Sequence, residues 1–247
     1  MAVNGFTPIV TNGLVLSLDA GNLKSYPTTG VTWTDLTRNG YNGALSNGPI
    51  YNSNNNGNIV FDGTNDYVYV VTPNLTAAEK EGSLTYEYWI KPNGTITNGY
   101  SESLTGTQYF SSPTNQGLSG DANYNYNNLS YRGFQFCFGT NGFVAGLHNF
   151  SVAPVFLADY QTYTGINHLV VIKNTYNCQY YVNGVLKKTS LTSGAILGDS
   201  MSYITSAQTT YFGKFFNGTI YSVNFYKRAL SASEILQNYN ATKWRFI

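Results

Sequence analysis

The sequence predicts an all-β domain closed by one short C-terminal helix, and three observations carry that expectation. Aromatic residues fill 16% of the 247 positions, with 22 Tyr and 14 Phe, and such side chains suit pleated, half-buried surfaces. The 25 Gly and the abundant Asn supply the positive-φ turns that join short strands. Short apolar or alternating runs recur along the chain with turn chemistry between them, the pattern of a sandwich or barrel rather than of a helical bundle.

Residues 14–18 read as the first strand. Residues 59–61 and 67–71 are separated by Asp62-Gly63-Thr64-Asn65-Asp66, a turn built from residues that tolerate positive φ or bond their own backbone, so the pair reads as a hairpin. Along residues 84–90, Leu84, Tyr86, Tyr88 and Ile90 share one face and Thr85, Glu87 and Trp89 the other. With both faces partly apolar, that strand belongs in the middle of a sheet. Residues 133–138 and 142–147 pair through Thr140-Asn141, and residues 167–174 and 178–182 follow. Asn183-Gly184 predicts a type I′ turn, which needs positive φ at both positions, so residues 185–188 pair back on the preceding strand. Residues 210–215 and 218–226 complete the strands. The helix starts at Ser231-Ala232-Ser233-Glu234, a capping box, with Ile235, Leu236 and Tyr239 as its apolar stripe.

Residues 97–131 hold almost no aliphatic side chains and read as a polar loop insertion; loops of that length are usually functional or disordered. The plan is an N-terminal arm, 1–12, before a single domain, 13–247. The arm, with Phe6, Pro8, Ile9 and Val10, either pairs within the domain or adds to a neighbour's sheet edge.

Charged residues make up 10% of the chain, and 13 basic against 12 acidic side chains leave a net charge of +1; an average soluble domain carries about 25%. No basic run exceeds Lys187-Lys188, which speaks against nucleic acid and anionic membranes as partners. No stretch of about 18 apolar residues occurs, so no membrane insertion is expected. The first residues lack the charged and apolar regions of a secretory signal peptide. Cys137 and Cys178 read as two buried thiols, with a disulfide between adjacent strands as the other option. His148 and His168 have no metal-ligand spacing.

Sugar recognition needs flat aromatic faces and planar amides. Tyr100, Tyr109, Tyr124, Tyr126 and Tyr131 lie in or beside the polar insertion with Asn123, Asn125, Asn127 and Asn128, which makes this stretch the candidate surface for glycans. The same residues suit packing against a neighbouring subunit. Calcium takes oxygen ligands, and Asp62, Asn65 and Asp66 crowd one turn while Asp19 and Asn22 crowd another; alternatively these residues only fold their turns. Trp33, Trp89 and Trp244 read as core or closure residues. No Gly-x-Ser-x-Gly elbow, HExxH motif or P-loop is present.

Several strings occur in one order: Gly13-Leu14-Val15-Leu16-Ser17-Leu18-Asp19-Ala20-Gly21-Asn22, Ser25-Tyr26-Pro27, Trp33-Thr34-Asp35-Leu36, Asn39-Gly40-Tyr41-Asn42-Gly43, Phe61-Asp62-Gly63-Thr64-Asn65-Asp66-Tyr67-Val68, and Tyr226-Lys227-Arg228-Ala229-Leu230-Ser231-Ala232-Ser233-Glu234-Ile235. Together they resemble the laminin-G-like, concanavalin A-like lectin/glucanase superfamily over residues 12–245. The lead Thr7-Pro8-Ile9-Val10 is similar to structural proteins of tailed phages. The resemblance implies a jelly-roll β-sandwich of two antiparallel sheets that binds glycan or protein at loop tips or on a concave face. It further implies a virion component, decorating the capsid or attached to the tail and assembled in the host cytoplasm. Its partners would be other virion proteins, itself as a homo-oligomer, and host-surface glycans. Related domains often hold calcium near loops. The alternatives are a free-standing lectin and, less well supported, a glycoside hydrolase. Glucanases of this superfamily carry Glu-x-Asp-x-x-Glu on one strand; here Glu87 is the sole acid in its strand, and the expectation is a non-enzymatic protein.

Overall fold

The computed structural model describes residues 7–71, 82–93, 116–121, 133–139, 142–148, 155–159, 164–174, 177–191, 209–212 and 216–246. In chain order the strands are β1 (Leu14–Asp19), β2 (Thr32–Trp33), β3 (Gly43–Ser46), β4 (Ile50–Asn52), β5 (Asn58–Asp62), β6 (Tyr67–Val71), β7 (Leu84–Pro92) and β8 (Gln116–Asp121). They continue with β9 (Gly133–Gly139), β10 (Gly142–His148), β11 (Val155–Asp159), β12 (Asn167–Lys173), β13 (Asn177–Val182), β14 (Val185–Leu191), β15 (Thr209–Phe212) and β16 (Asn217–Tyr226), before helix α1 (Ala232–Thr242). The first sheet runs β14-β13-β12-β7-β16-β5-β4, with β1 also paired to β16, and the second runs β11-β10-β9-β8-β15-β6-β3-β2. All pairings are antiparallel, and the two sheets stack as a jelly-roll sandwich.

Side-chain alternation explains the layers. Leu169 and Val171 of β12, Tyr88 and Ile90 of β7, and Val223 and Phe225 of β16 point into the core shared with Trp33, Leu45, Val68 and Val70 of the second sheet. Val170 and Ile172, with Tyr181 and Tyr226, point the other way and pack with Val10, Leu230 and Ile235 beneath α1. The first sheet is therefore buried on both faces, which is why residues 169–172 are uniformly apolar. Each such aliphatic side chain contributes about 1.5–3 kcal/mol by leaving water.

The expected hairpin of residues 59–61 with 67–71 is not formed. β5 bonds to β4 and β16, whereas β6 bonds to β3 and β15. Ile59 and Phe61 meet Val68 and Val70 in the core between the sheets, so the link crosses from one sheet to the other as an arch. Its corner is closed by the buried Asp66, whose Oδ2 accepts from the Asp62 N–H (3.1 Å), while Asp62 Oδ1 accepts from the Thr64 N–H (2.7 Å). β8 lies inside the stretch read as a polar loop, paired with β9 and β15.

Other expectations hold. β7 sits between β12 and β16. Asn183 (φ 52°) and Gly184 (φ 79°) form the left-handed pair of a type I′ turn. Leu236, expected in the helix's core stripe, is instead 46% exposed beside that turn, where a Gly184 side chain would meet its Cδ1. Cys178 is buried in the core on β13, and Cys137 lies on β9 of the opposite sheet.

β16 carries two strands on one edge, β5 along residues 217–220 and β1 along residues 222–226. They abut end to end, and a side chain at Gly57 would run into the Ala20 carbonyl oxygen while one at Gly21 would strike the Arg245 guanidinium. Arg245 locks this joint by donating from Nη1 to Asp19 Oδ1 at 2.8 Å.

The start of α1 is fixed by its capping box. Ser231 Oγ accepts from the Glu234 N–H and Glu234 Oε2 from the Ser231 N–H (2.8 Å), while Arg228 holds both Glu234 oxygens (2.6 and 2.9 Å). Arg228 first, and the Ser231 donors after it, hold the Glu234 carboxyl down at about 2, from an ordinary value of 4.5. A depressed carboxyl contributes stability that is complete above its unfolded value and is lost as pH falls through its folded one. In urea titrations the stability gap between wild type and Glu234→Gln is therefore expected to shrink from about 1–2 kcal/mol at pH 7 to near zero at pH 2.

Candidate functional site

Thr85, Glu87 and Trp89 occupy the face of β7 that turns away from the inter-sheet core; residues 228–230 cover Thr85, and α1 covers Glu87 and Trp89. Glu87 is 3% exposed. Its Oε1 accepts from His168 Nε2 on β12 at 2.6 Å, and its Oε2 accepts from Asn224 Nδ2 on β16 (3.2 Å) and from Asn238 Nδ2 on α1 (2.9 Å). A buried carboxylate is tolerated only when its lone pairs are met in this way. The fully buried His168 meets Glu87 through Nε2, while its Nδ1 has no hydrogen-bond partner among the described residues, and Trp89 and Tyr239 flank the ring at 5.1 and 5.7 Å.

The network continues to the N-terminal arm. Asn238 also donates to the Tyr226 hydroxyl (3.0 Å), its Oδ1 accepts from the Val10 N–H (2.8 Å), and the Tyr226 hydroxyl donates to the Val10 carbonyl (3.0 Å). Burial, and then the Glu87 charge, push the Tyr226 phenol upward, so it stays a donor. Gln237 Nε2 holds the Pro8 carbonyl and Arg228 Nε the Asn12 carbonyl, both at 2.8 Å. Residues 7–12 thus dock on their own domain, the first of the two readings of the arm. Thr85 Oγ1 completes the seal, donating to the Arg228 carbonyl and accepting from the Leu230 N–H.

This arrangement bears directly on hydrolysis. The one acid of the central strand lies under a helix, with both oxygens hydrogen-bonded. The Asp35 of the Trp33-Thr34-Asp35-Leu36 string is also structural: it is buried, and it accepts from the Ser17 and Thr37 N–H groups and the Thr37 hydroxyl.

Calcium takes about six to eight oxygens. Asp19 is bound to Arg245 and accepts from the Gly21 N–H, and Asn22 Oδ1 accepts from the Lys24 N–H. The Asn65 carbonyl accepts from Asn47 Nδ2. Burial chiefly, and the Asp62 charge, raise the Asp66 carboxyl against the lowering effect of the Asp62 N–H. The Asp62–Asp66 turn therefore offers two carboxylates, and among the described residues no three acidic, histidine or cysteine groups converge.

Tyr100, Tyr109, Asn123, Tyr124, Asn125, Tyr126, Asn127 and Tyr131 lie outside the described residues. Of the tryptophans, Trp33 and Trp89 are core residues as expected, but Trp244 is 55% exposed. Sequence spacing carried no signal for that, since it follows the helix in a separate short turn, Lys243–Arg245.

A laminin G model of the Concanavalin A-like lectin/glucanases superfamily matches residues 62–236. The chain belongs to this superfamily. No curated protein matches it. Among solved structures it is similar to the receptor binding domain of botulinum neurotoxin C/D mosaic serotype, with a TM-score of 0.67 and 15% identity over 92% of this chain and 51% of that one. It is also similar to the binding domain of botulinum neurotoxin DC in complex with rat synaptotagmin II (TM-score 0.69, 14% identity, 94% and 52% covered). A third is the botulinum neurotoxin serotype D ligand binding domain in complex with N-acetylneuraminic acid (TM-score 0.62, 14% identity, 92% and 50% covered). The chain spans about half the length of these structures, and the likeness is one of fold.

Asn238→Ala removes the link between carboxylate, phenol and arm. It is expected to lower unfolding stability by about 3 kcal/mol, read as a drop in urea midpoint, because it strands charged and neutral donors and acceptors together.

Proposed function

We propose that the protein is a non-catalytic, lectin-like virion component of a phage, on capsid or tail, whose exposed loops bind host-surface glycans or neighbouring virion proteins. The observation that carries the non-catalytic part is the sealing of Glu87 beneath α1. Membership of a superfamily of lectins and glucanases supports a saccharide ligand, and once the central acid is unavailable, binding is what remains. Structures of similar fold are binding domains, one in complex with a protein and one with N-acetylneuraminic acid. The virion setting is supported by the Thr7-Pro8-Ile9-Val10 lead and by the charged fraction of 10%, since surfaces covered in a lattice or homo-oligomer need less charge for solubility.

The test is saturable binding of the purified protein to fragmented host envelopes, competed by sugar and repeated with calcium and with a chelator. Tyr124→Ala with Tyr126→Ala is expected to weaken that binding about tenfold, the loss of two stacking platforms. Chelator sensitivity would support a bound cation. Unchanged affinity in the double variant would remove residues 97–131 from the glycan site, and release of reducing sugar that Glu87→Gln abolishes would overturn the non-catalytic reading.

A further inference from the structure

The first sheet ends in an open edge at β14. This strand pairs back on β13 through the tight Asn183-Gly184 turn, and among the described residues no strand lies on its other side. An edge strand presents a row of N–H and C=O groups to which an incoming extended chain can bond.

Apolar surface adjoins that edge. Residues 185–189 are all exposed, and two of them are large and apolar, Val185 at 57% and Leu186 at 46%. Leu186 stands opposite Tyr181, and directly paired residues share a sheet face. It therefore lies on the side that carries α1, where Tyr181 packs with Val10, Ile172 and Ile235. Leu236 of α1 reaches the same hairpin, since a side chain at Gly184 would meet its Cδ1 at 3.1 Å. An exposed apolar surface thus runs from the helix across the turn to the edge.

The turn is held still. Asn183 Oδ1 accepts from the His168 N–H (2.9 Å), the Asn183 N–H donates to the His168 carbonyl (2.8 Å), and Asn183 Nδ2 donates to Asn167 Oδ1 (3.2 Å). These bonds tie the hairpin to β12, and a pre-organised edge lowers the cost of adding a strand.

Charge selects the strand that fits. Lys187 and Lys188 follow the two apolar residues, both exposed, where the register with β13 shifts between Tyr180 and Tyr181. Lys187, unlike Arg228 and Arg245, enters no ion pair among the described residues. Lysines on an edge disfavour pairing with a second copy of the same strand, because like charges brought opposite one another are destabilising. Acidic residues on an incoming strand meet them favourably.

We infer that the β14 edge, with Val185, Leu186 and Leu236 beside it, takes an extended acidic segment of a partner protein as an additional strand of the first sheet. The inference is independent of the glycan reading and of residues 97–131.

The probe is a short labelled peptide of alternating valine and glutamate, titrated with the full chain and followed by fluorescence anisotropy. Saturable binding is expected, with amides of residues 185–189 gaining protection from hydrogen exchange in the complex. Lys187→Glu is expected to weaken the binding about tenfold, as is lysine in place of the peptide's glutamates. Leu236→Ser is expected to lose part of the affinity with an unchanged melting temperature. N-methylation of alternate peptide amides is expected to abolish binding, a control that leaves the protein untouched should a variant fold poorly. Binding that survives N-methylation, or that Lys187→Glu leaves unaltered, would overturn the inference, as would absence of binding by the acidic peptide. Concentration-dependent dimerisation that protects residues 185–189 would overturn it as well, by giving the edge to a second copy. None of these outcomes alters the envelope-binding test, so the two readings fail separately.

Discussion

One buried carboxylate organises the outer layer of this protein. Glu87 stands at the middle of the central strand, and its two oxygens collect donors from β12, β16 and α1, while Asn238 passes the connection on to Tyr226 and Val10. Removing a charge from water costs several kcal/mol unless its hydrogen-bonding capacity is met. The sheet, the helix and the arm therefore have to arrive together, and the network specifies one docking geometry where apolar contacts alone would permit sliding. Both ends of the described chain are in this way stowed on the same face of the first sheet.

Much of this was legible in residue order. The alternation along residues 84–90 identified a strand covered on both faces, because Thr85, Glu87 and Trp89 opposite four large apolar residues leave no solvent side. Ser231 and Glu234 marked the helix start, and Asn183-Gly184 the tight turn, since each is a local device whose partners lie within a few residues. The arch at residues 62–66 was misread because the same Asp, Gly and Asn chemistry closes hairpins and arches alike. What distinguishes them is that Ile59, Phe61, Val68 and Val70 converge on one core, a fact of tertiary structure. β2 and β4 are too short, and β8 with its two glycines too weak in β propensity, to be read without the neighbours that pair with them.

The functional surface was legible only as chemistry. Tyr and Asn mark a stretch suited to sugars or to subunit packing, but Glu87 could be recognised as solitary in its strand without revealing that Asn238, 151 positions away, would seal it. Trp89 and Trp244 look alike in sequence. The first is enclosed by His168, Tyr239 and Phe246, whereas the second is 55% exposed. Of the aspartates that suggest calcium, Asp19 is paired with Arg245, and Asp62 and Asp66 stand together in one turn.

Glu87 anchors the outer layer. Hydrogen–deuterium exchange of the folded protein, comparing wild type with Glu87→Ala, tests it most directly. The expected result is a joint loss of amide protection in residues 232–242 and at Val10, with the strands of the second sheet unaffected. Unchanged protection across the helix and the arm would contradict the account.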